Sequence, residues 1–135
     1  MRRFFVPSLL VLTVSVVLSG CGPDESGGTY EDVEALRDAF VAAGGECDDW
    51  EQTNRVLGAA QSGDCGTDTV LSTYLTHDAV QDRIAETKAS AFGAITGDWL
   101  TGENWIINGG DIEALQSKLG GTIVSFAGDD ESSGE

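Results

Sequence analysis

The sequence predicts an α+β domain: a small mixed sheet of three to four strands with helices mainly on one face, in the order αββαβα and a short final strand. Three observations carry this expectation. Three stretches repeat apolar residues at the helical period. Two stretches, the second rich in strand-forming residues, flank the turn Gly66-Thr67-Asp68. One nearly continuous apolar run, Trp99 to Asn108, separates the second helical stretch from the third.

Glu31 to Ala43 sets Val33, Leu36 and Phe40 at i, i+3 and i+7, with Asp32, Glu34, Arg37 and Asp38 between them, and stops at Gly44-Gly45. This predicts an amphipathic helix. Arg55 to Cys65 and Thr69 to Thr76 then read as an antiparallel hairpin, the second arm carrying Val, Leu, Thr and Tyr. His77 to Phe92 returns to the helical period through Val80, Ile84 and Ala91, with Asp78 at the positive end of the helix. A right-handed crossover through this helix feeds Trp99 to Asn108, whose Trp99, Leu100, Trp105, Ile106 and Ile107 predict a single central, covered strand. Asp111 to Leu119 places Ile112, Leu115 and Leu119 on one face, capped by Asp111 and stopped by Gly120-Gly121. The β-branched and aromatic Thr122-Ile123-Val124-Ser125-Phe126 supplies the final strand.

The start of the chain carries an address. Met1-Arg2-Arg3 is basic, Phe4 to Leu18 is an apolar run of 15 residues, and Ser19-Gly20 is small. This is the layout of a secretory signal. As a helix the run reaches about 22 Å, short of a bilayer core of about 30 Å. Leu18-Ser19-Gly20-Cys21 has the form of a bacterial lipobox, in which the thiol of Cys21 receives a diacylglyceryl group and the chain is cut before it. An ordinary signal peptide is the alternative. The boundaries expected are residues 1–20 for the signal, 21–29 for a lipidated tether, 30–127 for a single domain and 128–135 for an acidic disordered tail.

Of the seven basic residues, Arg2 and Arg3 fall in the signal, leaving five against 23 acids, a balance of −18. Nucleic acid is excluded as a partner by such a charge. Hydrophobic residues make up 41% of the chain, which is enough for a core. Of three cysteines, Cys21 is taken by lipid, and Cys47 and Cys65 are left to pair in an oxidising compartment. That bridge is worth about 3 kcal/mol in the chain-entropy picture. A two-cysteine metal or redox site lacks a second ligand pair and a Cys-x-x-Cys spacing.

Gly45-Glu46-Cys47, Gly63-Asp64-Cys65, Gly102-Glu103-Asn104-Trp105-Ile106-Ile107 and the run from Leu115 to Val124 together resemble a group of small actinobacterial lipoproteins. Most of the chain after the signal is covered. The resemblance implies a cell-surface lipoprotein with a compact α+β domain, and it brings no catalytic residues.

Catalytic chemistry is thinly supplied. His77 is the single histidine, and beside Asp78 it reads as a capped helix start rather than an acid–base pair. No Gly-x-Ser-x-Gly elbow provides a nucleophile. Asp48, Asp49 and Glu51, and farther on Asp64 and Asp68, do not follow a calcium-loop pattern. No catalytic residue, metal or other cofactor is therefore expected. Trp105 reads as core. Trp50 among Asp48, Asp49 and Glu51 reads either as an aromatic and acidic patch for a cationic ligand or as a ring lying over the Cys47 bridge. The function expected is that of a non-enzymatic interaction or structural module, held to the extracytoplasmic face of the cell membrane through lipid on Cys21, with an envelope protein as partner. The alternative is a binding lipoprotein for a cation or small cationic molecule.

Overall fold

The structure, a computed structural model, describes residues 24–90 and 96–126. The signal, Cys21, the acidic tail and the end of the second expected helix lie outside the described residues. The elements in chain order are α1 (Val33–Ala42), β1 (Trp50–Glu51), β2 (Gln61–Cys65), β3 (Thr69–Thr73), α2 (His77–Ala89), β4 (Trp99–Thr101), β5 (Trp105–Asn108), α3 (Ile112–Leu119) and β6 (Thr122–Val124). The strands form one sheet in the order β1-β2-β3-β5-β4-β6, every neighbouring pair antiparallel.

The α+β class holds, and the sheet corrects the rest of the expectation. It has six strands rather than three or four, and it is antiparallel rather than mixed. The run from Trp99 to Asn108 is two strands that fold back on each other, with Leu100 opposite Ile107. Helix α2 does carry the chain from β3 to β4, and those two strands run in the same direction. β5 returns between them, so no parallel pair forms. The first hairpin arm is shorter than expected, since only Gln61–Cys65 of Arg55 to Cys65 is strand, and Trp50–Glu51 adds an unforeseen edge.

Helices α1 and α3 cover one face of the sheet. Their Val33, Leu36, Phe40 and Leu115 meet Cys65, Leu71, Leu100, Trp105 and Ile107 in one core. Helix α2 covers the other face, where Val80 and Ile84 meet Tyr74, Trp99, Ile106 and Phe126. Successive strand residues point to opposite faces, so a strand covered on both sides shows no polar alternation, as in Trp105-Ile106-Ile107. The three helices are capped locally: Asp32, Thr76 and Asp111 accept the backbone N–H of Ala35, Ala79 and Ala114. Cys47 and Cys65 are disulfide-bonded, with Cα atoms 4.6 Å apart. The bridge joins the end of β2 to the segment between α1 and β1.

Candidate functional site

Two features occupy opposite ends of the strands. At one end the segment Asp24–Gly28, read as a tether from its small and polar residues, lies against the turn between β4 and β5. Gly27 is buried. The Trp105 indole Nε1–H donates to the Gly27 carbonyl at 3.1 Å and to that of Gly28 at 3.2 Å. The Gly121 N–H donates to the Glu25 carbonyl at 3.2 Å and the Glu103 N–H to that of Gly28 at 3.2 Å. Asn104 then grips Tyr30, its amide donating to the Tyr30 carbonyl at 2.8 Å and its side-chain oxygen accepting the Tyr30 N–H at 2.9 Å. The Tyr30 ring meets Trp105 edge-on at 5.9 Å, and burial raises its phenol above the ordinary pKa. We call this segment the strap.

The single histidine belongs to the strap end. His77 Nδ1 lies 3.1 Å from the Glu103 carbonyl and Nε2 3.4 Å from the Gln81 amide, so the ring ties the first turn of α2, which Thr76 caps, to the β4–β5 turn. Ser26 of the strap, His77 and Lys88 line one cleft of about 420 Å³.

At the other end of the sheet is a concavity of about 600 Å³ floored by Phe40 and Cys65. Its rim carries five carboxylates, Glu46, Asp48, Asp49, Asp68 and Asp111, and no lysine or arginine lines it. Helix α3 begins there at its cap Asp111 and ends beside the strap at Gly120, and β5 runs the opposite course, from Trp105 at the strap end to Asn108. The two ends are thus separated by at least the length of α3, about 12 Å. The disulfide fixes the loop that holds Asp48 and Asp49, and the Gly66 N–H donates to the Asp49 carbonyl at 3.0 Å.

The residues singled out in the sequence divide between places. Asp48 and Asp49 line the concavity. Glu51 lies on β1 opposite Asp64, and Trp50 lies opposite Cys65, half-buried against the α1 core. The Trp50 ring covers Gly63, where a side chain would collide with it. The Arg37 guanidinium stands 5.4 Å from the same ring's centroid, so a cation of the chain itself already sits over the indole. Glu46, Asp68 and Asp111 complete the rim, although they are far apart in sequence. Pairing of β3 with β5 brings the last two together. Among the described residues, no group of three or more His, Cys, Asp or Glu is arranged to hold a metal ion.

No protein-family model matches the chain, and no curated protein sequence or solved structure matches it either.

Proposed function

We propose that this protein is a lipid-anchored, non-enzymatic module of the cell envelope, of the actinobacterial lipoprotein kind its motifs resemble. It holds its acidic concavity away from the membrane for a basic protein partner. The observation that carries this reading is the opposition of the two ends. Cys21 precedes Glu25 by four positions, a reach of at most about 14 Å. Because the Glu25 carbonyl is bonded to Gly121, lipid on Cys21 would keep the strap end at the bilayer surface and turn the carboxylate rim outward. Two or three acyl chains give such an anchor its stability, one chain being marginal.

The test is crosslinking in intact native cells, followed by mass spectrometry of what co-purifies with the protein and with Cys21→Ser. The expected result is one recurrent partner, captured with the lipidated form and crosslinked near Asp68 and Asp111, with Cys21→Ser soluble or unprocessed. Membrane retention of a correctly cut Cys21→Ser chain would remove the anchor, and crosslinks confined to the strap end would remove the outward site.

A second reading, binding of a small cationic molecule, is favoured by the lack of any basic residue among those lining the concavity. Spermidine titrated into the purified domain should then raise the melting temperature saturably at low salt, and Asp68→Asn should weaken the effect. A flat titration rejects this reading and leaves the first untouched.

A further inference from the structure

Among the described residues, three large apolar side chains stand in solvent: Leu75 is 87% exposed, Leu57 77% and Val41 48%. One such residue alone is ordinary on a protein surface. The two leucines, however, share a place in the fold. Leu75 follows Tyr74, whose N–H donates to the Asn104 carbonyl at 2.8 Å, and precedes by two positions His77, whose Nδ1 lies 3.1 Å from the Glu103 carbonyl. It therefore stands beside the β4–β5 turn, at the strap end of the sheet. Leu57 belongs to the loop that enters β2 at the same end. In that loop the Ala59 N–H donates to the Val56 carbonyl at 3.3 Å and the Ala60 N–H to that of Thr73, the last residue of β3, at 2.7 Å. Val41 lies elsewhere. Helix α1 starts at the strap end, where the Val33 N–H donates to the Gln61 Oε1 at 3.0 Å, and Val41 follows Phe40, which floors the acidic concavity.

What faces the leucines follows from where the chain before the domain leads. Cys21 lies at most about 14 Å from Glu25, whose carbonyl is bonded to Gly121, the residue before β6. In the sheet order β6 and β3 are three places apart, about 14 Å at the usual strand spacing. The strap end thus has its tether at one side and its exposed leucines toward the other. A tether alone is a pivot about which a domain swings. A bilayer that holds Cys21 extends beneath the rest of this end, and apolar side chains there give it a second point of contact.

We propose that Leu57 and Leu75 enter the headgroup region of the bilayer that holds the lipid on Cys21, and so fix the direction in which the acidic concavity faces. The inference rests on the lipid anchor proposed above. Its driving force is apolar, since residues of this kind settle about 5–10 Å into the boundary between headgroups and acyl chains and leave water in doing so. Charge does not supply it: Asp24, Glu25, Asp78 and Glu103 lie at the same end.

The test uses the lipidated protein, its acylated mass confirmed, in nanodiscs of phosphatidylcholine that contain a nitroxide-headgroup lipid, with methyl signals read by NMR. Phosphatidylcholine carries no net charge to act on the acids of this end. Leu57 and Leu75 should lose most of their intensity, and Val41, also apolar and exposed but at the far end, should keep most of its own. Leu57→Ser with Leu75→Ser changes exposed side chains only, so the chain should stay folded and held by its lipid, yet the domain should swing and the Val41 signal weaken. Acylated protein in the disc whose leucine signals are as strong as that of Val41 overturns the proposal and leaves the anchor standing, as does an unchanged Val41 signal in the double variant. A chain that carries no acyl mass and stays out of the disc overturns both. Leucine signals lost equally without the nitroxide lipid, and only where two copies share a disc, assign the pair to a second copy and overturn the proposal as well.

Discussion

Gly27 is a position where a hydrogen atom in place of a side chain decides how the chain enters the domain. Its φ of 81° lies in the left-handed region, and an added Cβ would come within 2.7 Å of the Trp105 ring and 3.1 Å of the Cα atoms of Gly102 and Gly121. Either constraint alone favours glycine; together they exclude other residues without movement of the strap. Gly27→Ala is expected to lower stability by about 1–3 kcal/mol, read as a lower urea midpoint at unchanged slope. In the sequence this glycine is indistinguishable from linker glycine, because its reason is a tryptophan 78 positions away. Cys47 and Cys65 were legible for the opposite reason: with Cys21 assigned to the lipobox, the count leaves two thiols to pair whatever the fold between them. Trp50 was half legible. Its neighbours in sequence are acids, but its neighbours in space are Gly63 and Arg37.

Among the elements, the β4–β5 hairpin departs furthest from its sequence expectation. Strand reading relies on alternation, and alternation vanishes when both faces of a strand are covered. Trp99-Leu100 and Trp105-Ile106-Ile107 therefore merged into one apolar run. The turn that divides them, Gly102-Glu103-Asn104, is held by Asn104, which grips both backbone groups of Tyr30 and whose own carbonyl accepts the Tyr74 N–H at 2.8 Å. Asn104→Ala would leave two partly buried backbone groups of Tyr30 without their partner, and should cost about 1–3 kcal/mol in urea unfolding. Asn104→Asp can restore only the bond from the Tyr30 N–H, and it should recover part of the loss. Helices α1 and α3 were the most legible elements, because apolar spacing, an acidic cap and a closing glycine pair all agree in each.

For the whole molecule, charge sign and magnitude were plain from composition, but their arrangement was not. Glu46, Asp48 and Asp49 are close in sequence, yet Asp68 and Asp111 join them only because β3 pairs with β5. The sheet's two borders have a consequence of their own. A free strand edge is a template on which a neighbouring chain can add another strand. Here one border is the two-residue β1, whose preceding segment is tied by the disulfide to β2, and the other is the three-residue β6. Borders this short give one copy little backbone on which to zip to the next. The truncated ends of the sheet thus disfavour edge-to-edge assembly of copies even where the protein is concentrated.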